Sequence, residues 1–244
     1  MKAMIFAAGL GTRLRPFTDN CPKALIPVRG KPMLEHVILR LKNAGFDQLV
    51  INIHHLGQQI LDFLEKKKNF GMRIDISDER ECLLDTGGAV RKAAPFLGRE
   101  EPFLVHNADI LTDLDLRKFY EVHRCSDALA TLLIGSRSTS RYLFFDGENG
   151  LKGWKNCKTG EIKSGIPGFI PEDYAAYAFG GIHVVSPEAF DFMNEWEEKF
   201  SIIDFYLSLT GRIKIQGYAE PGIRWIDIGK PESLTEAEKW EDAG

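Results

Sequence analysis

Residues 1–27 read MKAMIFAAGLGTRLRPFTDNCPKALIP, and the rest of the chain is organised around them. The apolar run over residues 1–8 predicts a buried strand that leads into a glycine-rich loop. Gly9 and Gly11 permit positive φ and leave the backbone open to a ligand, and successive N–H groups in such a loop form a concave anion site. Three basic residues add positive charge around the same loop: Arg13, Arg15 and Lys23. The segment therefore predicts a polyphosphate-binding loop after the first strand.

The loop differs from the two commonest phosphate-binding fingerprints. A Walker A loop ends in Gly-Lys-Ser/Thr, whereas Gly11 is followed by Thr12 and Arg13. The dinucleotide fingerprint needs a third glycine where this chain has Leu14, which disfavours an oxidoreductase with a dinucleotide fold. A plain tight turn remains an alternative for Gly9 and Gly11 taken by themselves.

The stretch AAGLGTRLRPFT followed by PKALIPV closely resembles the N-terminal signature of the sugar-1-phosphate nucleotidyltransferases, GxGTRLxPLT…PKxLxPV. In that family the glycine-rich loop cradles a nucleoside triphosphate. The resemblance implies that Arg13 contacts its phosphates and that Lys23 reaches the phosphates that react, so these two are the expected catalytic residues. Ala24 stands where the family commonly has proline.

The resemblance extends to two later segments. Residues 51–60, INIHHLGQQI, lie near the nucleotide pocket in relatives, although the roles of His54 and His55 stay open and both could simply cap a strand. The run Asp85-Thr86-Gly87-Gly88 resembles the family's ETGGG or GTAG element, and glycines at a helix start leave N–H groups free for a ligand. The expected nucleotide-binding residues are Ala8, Gly9, Gly11, Thr12, Arg13, Lys23, Asn52 and Gly87.

Two aspartates are the expected metal ligands. Asp109 follows a predicted strand over residues 103–107, where a lone charge is costly unless a divalent cation offsets it. The family has NGD or NSD at this point and binds Mg²⁺ through that aspartate. The segment RWIDIGKPE, residues 224–232, resembles the family's closing W-x-D-[IV]-G-[TK]-P-E element, whose aspartate is the second ligand. The resemblance therefore implies Mg²⁺ as cofactor, held by Asp109 and Asp227.

The first 80 residues alternate between strand and helix patterns. Apolar spacing predicts helices over 32–44 and 56–66 and further strands over 48–53 and 72–77. Such alternation implies parallel strands joined by right-handed crossovers. The expected fold class is α/β, with a mixed, mostly parallel central sheet flanked by helices, as in the Rossmann-like nucleotide-diphospho-sugar transferase fold. One nucleotidyltransferase domain is expected over 1–244, with a nucleotide-binding half (1–125) and a sugar-binding half (126–244).

The second half is richer in short strands and turns. Residues 158–173 contain many Gly, Pro and polar residues and suggest a loop or short hairpin over the pocket, with the role of a lid left open. A strand over 177–185 carries Phe179-Gly180-Gly181-Ile182, which corresponds to a sugar-contacting stretch in relatives, although a strand bulge is the alternative. A helix is expected over 187–196. The expected sugar-binding residues are Asn107, Gly180 and Gly181.

Composition limits the other classes of function. A net charge of −4 over 244 residues argues against a protein that coats nucleic acid or a membrane surface. No apolar run approaches the ~20 residues of a membrane span, and Met1-Lys2 leads directly into a strand, so no signal peptide is expected. The four cysteines are widely spaced, which favours reduced thiols in a cytoplasmic protein over a zinc site or disulfides.

The resemblance implies a Mg²⁺-dependent reaction between a nucleoside triphosphate and a sugar-1-phosphate that gives an NDP-sugar and pyrophosphate. The combination of HHLGQQI, DTGGA and a short C-terminal end is most similar to family members that use UTP and N-acetylmuramate-1-phosphate. The alternatives are mannose- or heptose-1-phosphate guanylyltransferases and phosphocholine cytidylyltransferases. A non-catalytic nucleotide-binding regulatory protein is the alternative of another class. A monomer or a homodimer is expected.

Overall fold

The computed structural model describes residues 1–229 and 231–240. The strands are β1 (Lys2–Phe6), β2 (Pro27–Val28), β3 (Lys31–Pro32), β4 (Gln48–Ile53), β5 (Arg73–Asp78), β6 (Phe103–Asn107), β7 (Ile110–Thr112), β8 (Ala130–Gly135), β9 (Arg141–Phe145), β10 (Leu151–Asn156), β11 (Ile162–Lys163), β12 (Ala175–Val185), β13 (Ile215–Tyr218) and β14 (Trp225–Asp227). The helices are α1 (Met33–Asn43), α2 (Gly57–Lys66), α3 (Asp85–Lys92), α4 (Ala94–Leu97), α5 (Leu116–Arg124), α6 (Ala189–Met193), α7 (Ile202–Leu209) and α8 (Pro231–Ala237).

A single mixed sheet forms the centre of the fold. Its order is β11-β10-β9-β12-β6-β1-β4-β5, with β8 paired to β12 and β13 paired to β8. The four strands β6, β1, β4 and β5 run parallel, and β12 joins β6 antiparallel. The expected α/β class with a mixed, mostly parallel central sheet is confirmed. Because β1, β4 and β6 are parallel, their carboxyl ends meet at one edge of the sheet.

Apolar residues cover both faces of this sheet, as the alternation along β1 illustrates. Ala3 and Ile5 point into the core formed with α1, α2 and α5, whereas Met4 points into the core formed with α3, α6 and α7. Successive side chains of a strand lie on opposite faces, so a strand covered on both sides must be apolar throughout. This explains why the short run at the start of the chain has no polar position between Ala3 and Ala8.

Most elements of the first half lie where the hydrophobic pattern predicts them. The strand over 48–53 is β4, and the helix expected over 32–44 is α1. Asp115 caps α5 through a bond that its side chain accepts from Lys118 N. The helix expected over 187–196 is shorter, because α6 covers only Ala189–Met193.

The segment 158–173, expected as a loop or short hairpin over the pocket, includes a short strand. It contains β11, which forms a hairpin with β10, and it packs against α7. Lys163 Nζ lies 2.9 Å from Asp204 Oδ1, and Gly165 N donates to Thr210 Oγ1 at 2.8 Å. These bonds hold the segment against α7 and Thr210, and none of its residues is among those that line the cavity described below.

The C-terminal segment returns to the start of the chain. Strand β14 pairs with β7, and α8 follows it. Ile226 and Ile228 join a small apolar cluster with Val28, Met33 and Trp240. Asp227, the aspartate of the closing motif, is thereby held at the end of β14 between two packed isoleucines. Lys230 of the same motif lies outside the described residues.

Two further expectations concern cysteines and membranes. Cys21, Cys82, Cys125 and Cys157 are all free thiols, and the last three are exposed. Within residues 1–229 and 231–240, no helix combines the length and hydrophobicity that crossing a membrane requires.

Candidate functional site

A cavity of about 520 Å³ lies at the carboxyl ends of β1, β4 and β6. The glycine-rich loop forms one wall, from Ala7 to Arg13, and Leu83, Asp85 and Thr86 contribute to another. Asn107, Ala108 and Asp109 line it where β6 ends. The expected nucleotide-binding residues Ala8, Gly9, Gly11, Thr12, Arg13, Lys23 and Asn52 all line this cavity.

Gly11 sets the path of the loop. Its φ is +64°, and its carbonyl accepts from Leu14 N at 2.9 Å and from Thr18 Oγ1 at 2.8 Å. A Cβ at this position would lie 2.7 Å from Thr18 Cγ2 and 3.1 Å from Lys23 Cβ. Gly9 is different, since a Cβ there would meet no heavy atom within 4 Å. Gly11 is therefore required by the protein itself, whereas Gly9 leaves open space that a ligand could occupy.

Replacing Gly11 by alanine is expected to lower the unfolding temperature by several degrees. A non-glycine residue at positive φ costs roughly 1–2 kcal/mol, and the contact with Thr18 adds to this. The matched variant Gly9→Ala is expected to unfold at the wild-type temperature but to weaken binding of inorganic triphosphate, because its methyl group enters the cavity. Thermal unfolding and titration calorimetry of both variants check this. Equal unfolding temperatures for the two variants would contradict the assignment of Gly11.

Lys23 and two carboxylates meet at the edge of this cavity. Lys23 begins a short 3₁₀ helix, Lys23–Leu25, and its ammonium forms an ion pair with Asp109 Oδ2. The same Nζ lies 3.9 Å from Asp227 Oδ1, which also accepts from Gly229 N at 2.7 Å. The side chains are 13% exposed for Lys23, 19% for Asp109 and 34% for Asp227, so all three remain accessible to a ligand.

Pairing of β7 with β14 brings the two aspartates together, although they are far apart in the chain. Asp227 is opposite Ile110 in this antiparallel pair, and Ile228 N donates to Asp109 O at 3.0 Å. Asp109 directly precedes β7, and Asp227 ends β14. The register of one short strand pair therefore places both carboxylates beside the same ammonium.

The aspartate pair suits a divalent cation that also binds substrate. Both carboxylates lie within ion-pair distance of one positive charge, so the arrangement already accommodates a cation between them. In the described residues no group of three or more His, Cys, Asp or Glu could hold a metal ion. Mg²⁺ is commonly bound by one or two carboxylates, with water and phosphate oxygens completing its shell. Asp109 and Asp227 fit that mode of binding.

The basic residues of the loop divide into two groups. Arg13 lines the cavity and packs tightly against Gly229, where a Cβ would lie 2.8 Å from Arg13 Nη2. Arg15 was expected to add charge at the same place. Instead, its Nε lies 3.3 Å from Asp19 Oδ1 four residues along, and it does not line the cavity. The local ion pair holds Arg15 on the outer surface, leaving Arg13 and Lys23 as the loop cations at this cavity.

Asn52 lies in the cavity wall, but its side chain is engaged by the protein. Its Oδ1 accepts from Ala7 N at 2.7 Å and Ala8 N at 3.3 Å, and its Nδ2 donates to Glu79 Oε1 at 2.7 Å. Asn52 therefore lines the cavity as expected, while both polar atoms of its amide also have protein partners. His54 and His55 follow on the same strand end, and neither lines the cavity.

Gly87 has a different environment from the one expected. Its N–H, predicted to be free for a ligand, donates to Phe200 O at 2.8 Å, and a Cβ would lie 2.3 Å from the Phe200 ring. The close approach of α3 to the segment before α7 explains why glycine occurs here. Asp85 and Thr86 line the cavity instead, and so does Lys199, which directly precedes Phe200. Thr86 directly precedes the glycines in the motif, whereas no pattern in the sequence pointed to Lys199.

Gly180 and Gly181 are buried in a bulge of β12 and do not line this cavity. The register of β12 against β8 shifts between Phe179 and His183. Gly181 has φ +73°, and a Cβ there would lie 2.8 Å from Asn107 Nδ2. The bulge alternative accounts for both glycines, which make room for neighbouring side chains, while Asn107 itself does line the cavity.

Comparison with known proteins identifies relatives over the full chain. The family model for nucleotidyl transferases matches residues 2–143. The chain is 34% identical over 242 residues to an N-acetylmuramate alpha-1-phosphate uridylyltransferase of Neisseria meningitidis serogroup B, covering 98% of this chain and 97% of that protein. It is 36% identical to mannose-1-phosphate guanylyltransferase 1 of Arabidopsis thaliana, covering 95% of this chain and 62% of that protein.

The fold is also found among solved structures. A UDP-glucose pyrophosphorylase from Acinetobacter baumannii superposes with a TM-score of 0.77 at 19% identity, covering 97% of this chain and 91% of that one. At this level of identity the likeness concerns the fold alone.

Proposed function

Because this chain belongs to the nucleotidyl transferase family and is a sugar-1-phosphate nucleotidyltransferase, we propose that it joins UTP and N-acetylmuramate α-1-phosphate in a Mg²⁺-dependent reaction. The observation that carries the chemistry is the meeting of Lys23, Asp109 and Asp227 beside the glycine-rich loop. The similarity that supports this substrate pair runs over 97% of the Neisseria protein, against 62% of the plant guanylyltransferase.

In the proposed reaction a phosphate oxygen of the acceptor attacks the α-phosphorus of UTP. A new P–O bond forms there, the bond from the α-phosphorus to the bridging oxygen breaks, and pyrophosphate leaves. The attacking oxygen already carries negative charge, so no protein nucleophile is needed. Catalysis then consists of positioning two anions and stabilising the charge that builds up between them.

The cavity residues divide this task in the proposal. Arg13 and the loop backbone hold the β- and γ-phosphates, and Lys23 moves from its carboxylate partners to the α-phosphate and the attacking oxygen. Asp109 and Asp227 hold Mg²⁺, which when bound neutralises phosphate charge. In this proposal residues 1–125 supply most of the nucleotide site, and the acceptor site comes mainly from residues 126–244 of the same domain.

Pyrophosphate release tests the proposed substrates. UTP, GTP, CTP, ATP and dTTP are each combined with N-acetylmuramate-, mannose-, heptose- and glucose-1-phosphate and with phosphocholine, in the presence of Mg²⁺. We expect release with UTP and N-acetylmuramate-1-phosphate, its loss on adding EDTA, and its return with excess Mg²⁺. Preferred release from GTP with mannose- or heptose-1-phosphate, or from CTP with phosphocholine, would replace the proposed substrates. Release that persists in EDTA would contradict the metal requirement.

A further inference from the structure

Glu79 is a buried carboxylate at the wall of the nucleotide cavity. It lies just after β5, is 1% exposed and is among the residues that line the cavity. Its Oε1 accepts from Asn52 Nδ2 at 2.7 Å, and its Oε2 accepts from Leu84 N at 3.2 Å. Burial raises the pKa of this carboxyl, which reflects the cost of keeping the charge away from water. A carboxylate in such a position needs its two hydrogen bonds.

The bond to Asn52 fixes which way that side chain points. Asn52 is 3% exposed, and an ionised carboxylate can only accept hydrogen bonds. The Nδ2 group must therefore face Glu79, which turns Oδ1 towards the end of β1. There it accepts from Ala7 N and Ala8 N, the last two residues before Gly9. The orientation of one amide thus connects Glu79 to the start of the glycine-rich loop.

The second oxygen of Glu79 connects to the opposite wall. Leu84 N belongs to the segment that leads into Asp85 and Thr86, and both of these line the cavity. One carboxylate therefore holds the glycine-rich loop through Asn52 and the Asp85–Thr86 wall through Leu84. We propose that Glu79 is a positioning residue that fixes the spacing of these two walls and thereby tunes affinity for the nucleoside triphosphate. The inference rests on the proposed nucleotide site in this cavity.

The strands themselves do not need this pair of side chains. Backbone pairing of β4 with β5 already joins Asn52 to Ser77 and Ile53 to Asp78. A similar amide–carboxylate pair joins the same two strands nearer their amino ends, where Gln48 Nε2 donates to Asp75 Oδ2 at 2.8 Å. Neither Gln48 nor Asp75 lines the cavity. The two pairs share chemistry and strands but differ in their distance from the cavity, so the second pair is a matched control.

The test measures binding of Mg·UTP and of Mg·GTP by titration calorimetry without any acceptor. Asn52→Leu and Glu79→Ala are each expected to weaken binding of the nucleotide that the wild type binds by at least about tenfold. Because both act through the same connection, the double variant is expected to lose much less than the product of the two single losses. Glu79→Gln keeps an acceptor for Asn52 and is expected to fall between wild type and Glu79→Ala. The control variants Gln48→Leu and Asp75→Ala are expected to bind like the wild type.

Folding is followed by thermal unfolding, with binding measured well below the transition. If Glu79→Ala does not fold, the comparison passes to Glu79→Gln and Asp75→Asn, for which weaker binding is expected only in the first. Equal binding by these two, or a double variant whose loss equals the product of the single losses, would overturn the positioning role. A wild type that binds neither nucleotide would overturn the nucleotide site and this inference with it, whereas binding of GTP alone would change only the proposed substrate.

Discussion

Lys23→Ala is expected to lower kcat by roughly a hundredfold to a thousandfold while the protein remains folded, the effect of losing one transition-state charge contact of about 3–4 kcal/mol. Lys23 is the cation that lies against both Asp109 and Asp227, and the cavity beside it has room for the phosphates. Its backbone begins a short 3₁₀ helix whose bond from Leu25 N to Pro22 O does not involve the side chain. The measurement is single-turnover pyrophosphate release at saturating substrates, together with thermal unfolding.

Lys31 provides the control for this variant. It lies on the β2–β3 hairpin, is exposed and does not line the nucleotide cavity, so Lys31→Ala is expected to turn over at the wild-type rate. Full activity of a folded Lys23→Ala protein would exclude the catalytic role of this lysine. A loss of the same size in Lys31→Ala would show that the effect comes from total charge and not from the position of Lys23.

Asp109→Asn and Asp227→Asn are each expected to lower kcat by at least about a hundredfold and to raise the Mg²⁺ concentration needed for half-maximal activity. Asparagine keeps an oxygen for the bond that Gly229 N donates to position 227, but it removes one of the two negative charges beside Lys23. The loss is therefore electrostatic, with little change in packing. Activity titrated against Mg²⁺ for each variant measures the shift.

Asp113→Asn separates this effect from the integrity of the β7–β14 pair. Asp113 joins the same two segments, since its Oδ1 accepts from Arg224 N and its Oδ2 from Arg224 Nε, both at 2.7 Å, but it does not line the cavity. This variant is expected to unfold at a lower temperature with an unchanged Mg²⁺ requirement. A Mg²⁺ titration that is identical in wild type, Asp109→Asn and Asp227→Asn would refute the metal assignment.

The parallel core of the first half could be predicted because its hydrophobic pattern is local. The strand over 48–53 and the helix over 32–44 are each bounded by turn residues within a few positions. The glycine-rich loop could also be predicted, since Gly11 at positive φ, Arg13 and Lys23 all lie within one short segment. The structure places these three residues together at the cavity because their spacing in the sequence keeps them within one loop.

The contacts that could not be predicted join distant parts of the chain. The three residues of β7 are too few to give a periodic signal, so the pairing that brings Asp227 to Asp109 could be inferred only from the family resemblance. The N–H of Gly87 donates to the carbonyl of Phe200, which lies more than a hundred residues later in the chain. The prediction for Arg15 failed for a local reason. Its side chain was expected at the cavity, but it forms an ion pair with Asp19 four residues along.

The pairing of β14 with β7 determines at what stage of protein synthesis the two aspartates come together. A nascent chain that has left the ribosome up to residue 200 already holds the glycine-rich loop, Lys23, Glu79 and Asp109, yet it still lacks one of the two carboxylates beside Lys23. Under the proposed mechanism, turnover begins only after β14 has been synthesised and has paired with β7. On that mechanism, pyrophosphate release in a cell extract reports only chains in which the last strand has reached its partner.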